Sequence, residues 1–140
     1  VNYSMNIGYE SGNNISFEDG LQSTEINRSY ESKFLKISRS HYNINSININ
    51  KLYVSFSTDL RNYISESLYD PLHNGRHHFD YQLYVSIRKR IKSSFSTNLF
   101  FKFRKRQTIS EFEWVQDLKS FNKFEMGVKF TFNGVYHIYR

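Results

Sequence analysis

The chain has 140 residues, enough for one domain, and it contains 13 Phe and 11 Tyr but neither Ala nor Cys. Ala is the strongest helix former, so its absence argues against a helical bundle, and the lack of Cys excludes disulfides and thiolate metal sites. The net charge of +6 is suited to an acidic partner such as nucleic acid, anionic lipid or an anionic solute. The mean hydropathy is −0.63, and the sequence contains no apolar run of about 18 residues, which excludes helical membrane spans. An average hydropathy does not detect membrane strands, because their apolar residues alternate with polar ones.

Strict alternation of apolar and polar residues predicts six β-strands and therefore an all-β protein. The alternating segments are 2–10, 26–42, 51–65, 79–91, 94–106 and 122–133. In the last of these, Phe124, Met126 and Val128 alternate with polar residues or Gly. Segment 26–42 is less regular because Arg39 and His41 follow Leu35 on its apolar side, so we interpret it as one bent or bulged strand.

The connections between these segments alternate between long and short. Segments 11–25, 66–78 and 107–121 are long, whereas 43–50 and 92–93 are short. This order predicts an up-and-down antiparallel sheet with long loops at one rim, short turns at the other, and both chain ends at the short-turn rim. Transmembrane β-barrels of bacterial outer membranes have this asymmetry.

Each strand has one apolar side and one polar side, which in a membrane barrel would face lipid and lumen. The predicted lipid-facing residues are Val54, Phe56, Leu83, Val85, Leu99, Phe101, Met126, Val128 and Phe130. The predicted lumen-facing basic residues are Arg61, Arg88, Lys102, Arg104 and Lys129. Aromatic residues near the strand ends suit the interfacial girdles of such barrels. A soluble barrel or sandwich with an aromatic core has the same period, but no further elements are predicted that would cover the apolar side.

The segment from Ser94 to Phe132 resembles the C-terminal hairpin of Gram-negative outer-membrane β-barrel proteins. Its run from Lys123 to Phe132 (KFEMGVKFTF) is similar to the closing strand of that family, which ends in an aromatic residue. The resemblance implies a transmembrane barrel in the outer membrane. It also implies contact with membrane lipid and lipopolysaccharide, and recognition of the last strand by the barrel assembly machinery.

Six strands are fewer than the eight of the smallest known single-chain barrels. We therefore expect residues 1–140 to be a single barrel domain or, more simply, the C-terminal strands of a larger barrel, which the start at Val1 favours. The alternatives are a barrel completed by strands of other chains, and an eight-stranded barrel, which would need an extra hairpin within 11–42. Residues 133–140 would be a strand extension or a periplasmic tail.

The sequence offers little evidence for bond chemistry. His73, His77 and His78 share one long loop with Asp70 and are weak metal candidates, since imidazole is a common metal ligand. Their spacing matches no zinc pattern, so a solvated polar loop is the preferred interpretation. No catalytic set and no phosphate-binding loop is recognisable, and we predict neither an enzyme nor a cofactor.

These features predict an outer-membrane barrel with a polar, basic lumen that acts as a pore, an exporter component, or a membrane anchor or scaffold. The alternative is a soluble basic β-barrel that binds an anionic polymer such as single-stranded nucleic acid. In that case Tyr53, Tyr84 and Phe100 would lie among basic residues and stack on bases. Phe112 and Trp114 would belong to a loop that folds back or meets a partner, or to extensions of the flanking strands.

Overall fold

The prediction of an all-β protein is confirmed. The computed structural model describes residues 1–13, 15–18, 24–45, 48–66 and 70–132. Its elements in chain order are β1 (Asn2–Gly12), β2 (Ile15–Glu18), β3 (Thr24–Asn27), β4 (Tyr30–Ile44), β5 (Ile49–Tyr63), β6 (His77–Lys92), β7 (Phe95–Ile109), α1 (Glu113–Lys119) and β8 (Phe121–Phe132). The segment 133–140, interpreted above as a strand extension or tail, lies outside the described residues.

Six strands form one antiparallel sheet in the order β1-β4-β5-β6-β7-β8, which confirms the predicted up-and-down order. Each strand pairs with the next over most of its length, and the pairing of β6 with β7 contains one irregularity between Arg90 and Lys92. The sheet is open: within the part of the chain that is described, β1 and β8 are its two edges and do not pair with each other.

The predicted strand 26–42 is wrong at its start. Residues 24–27 form β3, which pairs with β2 as a separate two-stranded sheet, and the second strand of the main sheet, β4, begins only at Tyr30. A hairpin is therefore present between 11 and 42, but its strands do not join the main sheet. From Tyr30 to Tyr42, β4 pairs residue for residue with β5, without the predicted bulge.

The two rims of the main sheet differ in the length of their connections, as predicted. The turn between β6 and β7 is Ser93-Ser94, and the β4–β5 connection is shortened because Ile44 pairs with Ile49. Asn43 and Asn48 flank this second turn with φ of 54° and 51°, a backbone conformation that Asn adopts more readily than most residues. The start of β1 and the end of β8 lie at this short-turn rim.

The connection from β7 to β8 contains a short helix rather than strand extensions alone. β7 continues to Ile109, and α1 then begins with Glu113 and ends with Lys119, charges that suit the two ends of a helix. Val115 of α1 is fully buried, and Gln116 Nε2 donates to the carbonyl of Ser110 at 2.7 Å. No helix among the described residues is long and apolar enough to cross a membrane.

Candidate functional site

The pairing register sorts the side chains of the main sheet onto two faces, because directly opposed residues in a sheet point the same way. One transverse row runs through Met5, Ile37, Phe56, Leu83 and Phe103 to Phe124, and we call its side of the sheet the apolar face. The neighbouring row runs through Ser4, Ser38, Ser55, Tyr84 and Lys102 to Glu125, on what we call the polar face.

The apolar face is open. Met126 is 81% exposed and Phe130 is 65% exposed, and large apolar side chains on every strand of the sheet are exposed in the same way. The nine residues predicted to face lipid all belong to this face by register. Its rings pack within the sheet surface, with Phe103 and Phe124 4.7 Å apart between centroids and Phe95 stacked on Phe130 at 5.9 Å. Arg39 and His41 interrupt the face near the short-turn rim, as the sequence pattern indicated.

The polar face is where side chains become buried. Ser32 is 1% exposed, and Ser38, Ser55 and Ser96 are also buried on this face, whereas the only buried apolar side chain in the described regions is Val115 of α1. Ser4 Oγ and Ser38 Oγ lie 2.7 Å apart across neighbouring strands. The buried side chains of the main sheet, mostly serines, thus all lie on the polar face, where Phe34, Lys36 and Lys129 are nevertheless exposed, and none of the described apolar-face side chains is buried. A half-buried sheet in water would instead bury its apolar face.

Asp80 is the most strongly paired carboxylate on the polar face. It accepts hydrogen bonds from Arg106 Nε at 3.0 Å, Arg106 Nη2 at 2.6 Å and Arg104 Nη2 at 3.1 Å. Asp59 lies directly opposite Asp80 in the register, accepts a bond from the hydroxyl of Ser32, and has Arg61 Nη2 at 3.4 Å. Three guanidinium groups therefore surround two adjacent carboxylates in the half of the face nearest the long loops.

A second neutralised group lies on β7 and β8. Glu125 is directly opposite Lys102, and its carboxylate oxygens lie 3.2 Å from Lys102 Nζ and 2.6 Å from Lys123 Nζ. All five predicted lumen-facing basic residues share the polar face, but Arg61, Lys102 and Arg104 have carboxylate partners there. They therefore contribute less positive field than their number suggests.

Arg88 and Lys129 belong to a different environment near the short-turn rim. Lys51, Arg88, Asn98 and Lys129 follow one another in a single row of the register, and Lys51 is directly opposite Arg88. Among the described residues none of these three cations has a carboxylate partner. Lys51, Arg88 and Lys129 line a cavity of about 480 Å³ together with the hydroxyl-bearing Tyr53, Ser86 and Thr131. We call Lys51, Arg88 and Lys129 the cation row.

Lys51 was not among the predicted lumen-facing residues. Its alternation with Leu52 and Val54 indicates the polar side of its strand, but its position opposite Arg88 depends on the β5–β6 register, which a single sequence does not specify. A second cavity, of about 710 Å³, lies farther along the face and is lined in part by Asp59, Asp80 and Arg104. The two cavities therefore differ in charge.

The three candidate metal-binding histidines do not converge. His73 Nδ1 lies 2.9 Å from both carboxylate oxygens of Asp70, His77 Nδ1 is 2.8 Å from Asn62 Oδ1, and His78 Nδ1 is 2.9 Å from Thr108 Oγ1. His77 and His78 are consecutive strand residues and point to opposite faces. No group of three or more His, Asp or Glu arranged for a metal ion occurs in the described ranges.

The loop between β5 and β6 folds onto the long-loop rim around Arg76. The guanidinium of this residue lies 3.9 Å from the ring centroid of Tyr63, and its side chain is buried. Burial lowers the pKa of Arg76 from its usual value. The backbone closes the loop through Tyr63 N–H, which donates to the carbonyl of Arg76 at 2.9 Å, and Gly75 N–H, which donates to that of Ser65 at 3.2 Å. The described residues 70–76 of this connection are therefore packed around Tyr63, with Asp70, Asn74 and Arg76 buried, rather than open to solvent.

Comparison with known proteins found no matching family model, no matching curated protein and no matching solved structure.

Proposed function

We propose that this chain forms part of the wall of a bacterial outer-membrane β-barrel that acts as a pore, an exporter component, or a membrane anchor or scaffold. The observation that carries the proposal is the inversion of the sheet: apolar side chains are exposed along all six strands while polar side chains are buried on the other face. Such an arrangement is costly in water and favourable in lipid, where apolar residues face hydrocarbon and polar residues face an interior.

The dimensions of the apolar face support the proposal. On β7 this face carries large apolar side chains from Phe95, opposite Phe132, to Phe103, opposite Phe124, with Thr97 between them, and Lys105 follows on the long-loop side. These eight residue steps span about 27 Å of strand, which projects to about 21 Å at the tilt of about 40° usual in such barrels. The apolar band of outer-membrane barrels is about 25 Å tall, so the apolar stretch approaches that height.

The open edges support a barrel larger than these six strands. β1 and β8 each have an unpaired backbone edge within the described part of the chain, and long unpaired edges promote association. Closing β1 onto β8 would give a six-stranded barrel, fewer strands than known single-chain barrels contain. We therefore propose that strands from elsewhere complete the wall. The last strand, with its resemblance to a closing strand, would be the segment that the assembly machinery binds, and lipopolysaccharide and other lipids would contact the apolar face.

The test is whether the full chain requires detergent. We expect the purified protein to aggregate in plain buffer, to become monodisperse and β-rich in detergent micelles, and to migrate differently on a gel before and after boiling, because folded outer-membrane barrels resist unfolding by the gel detergent. A monodisperse protein in plain buffer with unchanged mobility on boiling would overturn the proposal.

One observation favours the soluble alternative. Tyr84 lies 5.9 Å from the ring of Tyr53 and 6.4 Å from that of Phe100, so the three rings form a strip on the polar face beside Lys102 and Arg88. Aromatic strips flanked by cations bind single-stranded nucleic acid in other proteins. This alternative predicts tight binding of a single-stranded oligonucleotide by protein that is soluble without detergent.

A further inference from the structure

The cation row contains no carboxylate, unlike the charged groups around Asp80, Asp59 and Glu125. Lys36 and Arg90 on the same face likewise have no carboxylate partner among the described residues. Asp80 is paired with Arg104 and Arg106, Asp59 with Arg61, and Glu125 with two lysines. Glu125, the acidic residue nearest to Lys129 along β8, is four residues away, which is about 13 Å of strand. The positive charges at the short-turn end of the polar face therefore remain uncompensated in the described structure.

Opposing cations in a sheet are unfavourable. Lys51 and Arg88 occupy directly opposite positions on neighbouring strands, where like charges destabilise pairing. Their other contacts do not neutralise them: Lys51 lies over the rings of Tyr42 and Tyr53, and Arg88 Nη2 donates to Ser96 Oγ at 3.3 Å. An anion bound between the cations would remove this repulsion.

The geometry indicates an anion with several charges. Neighbouring strands lie about 4.8 Å apart, so Lys51 and Arg88 are separated by one strand spacing, and Lys129 is two spacings beyond Arg88, about 10 Å. A single carboxylate would reach only part of this row. A chain of linked phosphate groups carries charge along its length, and the guanidinium fork of Arg88 matches phosphate oxygens in pairs.

We infer that the short-turn end of the polar face binds a polyvalent phosphate-type anion through Lys51, Arg88 and Lys129, with hydroxyl donors from Tyr53 and Ser86. The inferred site assigns a class of solute to the basic half of the proposed barrel's interior, and to that extent the inference rests on the proposed function. Binding itself requires only the folded sheet. It is therefore measured in whichever medium, buffer or detergent, keeps the chain folded, so its outcome is separate from that of the membrane test.

The experiment is calorimetric titration of the full chain with sodium tripolyphosphate at fixed ionic strength. The double variant Lys51→Gln/Arg88→Gln removes two of the three cations, and we expect it to bind at least about tenfold more weakly. The matched control is Lys33→Gln/Lys105→Gln, which removes the same net charge from exposed positions on the apolar face and should bind within about twofold of the wild type.

Three outcomes would overturn the inference. These are no binding of tripolyphosphate by folded wild-type protein, an equal loss of affinity in the control, and equally tight binding of citrate, which carries three carboxylates without phosphate chemistry. If circular dichroism shows that the double variant does not fold, Lys129→Gln on the edge strand replaces it. We expect that single variant to weaken binding about threefold or more, and unchanged affinity would likewise overturn the inference.

Discussion

The ring of Phe34 lies across Gly8 on the neighbouring strand, so closely that a β-carbon at Gly8 would be 2.3 Å from Cζ of the ring. Phe100 covers Gly127 at the other edge of the sheet in the same way, with a closest approach of 2.8 Å. Glycine in both edge strands therefore makes room for an aromatic ring from the adjacent strand, which compensates for the missing side chain.

Gly8→Ala should destabilise the sheet because the ring of Phe34 must leave its position over β1. We expect a loss of about 1 kcal/mol in the free energy of unfolding, measured by urea titration in the medium that keeps the chain folded. Asn6→Ala, on the same strand and face, is the control and should change stability by less than about 0.5 kcal/mol. If steric conflict is the cause, Gly8→Ala should be nearly neutral in a Phe34→Leu background, and an undiminished loss there would refute the explanation.

Arginine should block membrane insertion on one face and be tolerated on the other. Val85→Arg and Leu99→Arg place a charge on the apolar face, where midplane positions of outer-membrane barrels cost about 2–4 kcal/mol. The matched controls are Ser86→Arg and Ser40→Arg, which put the same side chain on the polar face at positions whose directly opposite residues carry no charge. Folding into lipid vesicles, followed by gel mobility before boiling, should fail for the first pair and succeed for the second.

The same four variants distinguish an apolar face that contacts lipid from one that packs in the core of a soluble protein. Val128→Arg, at the equivalent place on β8, extends the series to an edge strand. A soluble barrel would lose its core in all three apolar-face variants and precipitate even in the absence of lipid. Variants that stay folded and monodisperse in plain buffer would contradict both interpretations of the apolar face.

Asp80→Asn should destabilise the long-loop half of the polar face. The change removes the negative charge that accepts three hydrogen bonds from Arg104 and Arg106, and it leaves two mostly covered guanidinium groups close together. We expect a loss of about 1–3 kcal/mol in the free energy of unfolding. Asp117→Asn, on the exposed side of α1, loses the same charge and should change it by less than about 0.5 kcal/mol. Equal effects of the two variants would show that the cluster has no stabilising role.

Arg88→Gln should increase the free energy of unfolding when no polyanion is bound, in contrast to Asp80→Asn, which should decrease it. Removing one of two directly opposed cations should stabilise the sheet by about 0.2–1 kcal/mol at low ionic strength. The gain should disappear in 1 M NaCl, where the screening length is about 3 Å. Arg104→Gln, an arginine on the same face with a carboxylate partner, should instead lose stability. A salt-independent gain from Arg88→Gln would mean that charge repulsion is not its origin.

The sequence predicts the strands of the main sheet well because their period is local. The alternation of Phe, Val and Leu with Ser, Lys and Arg specifies which residues share a face, and long and short connections specify the antiparallel order. Strand ends were less predictable: β4 begins at Tyr30 rather than 26, and α1 occupies part of a connection, since both depend on contacts with other segments. The separate hairpin of β2 and β3 was not predicted because the alternation of Ile15 and Phe17 with Ser16 and Glu18 extends over only four residues.

By itself the sequence determined the two-faced character of the strands, the excess of positive charge and the asymmetry of the rims. Only the tertiary structure decided which charges meet. The β5–β6 register places Lys51 opposite Arg88 and Asp59 opposite Asp80, and a slip of one residue would reverse the faces. The pairing of Asp80 with two arginines likewise depends on β6 and β7 lying side by side. Charge interactions depend on distances across strands, and those distances are set by pairing rather than by position along the chain.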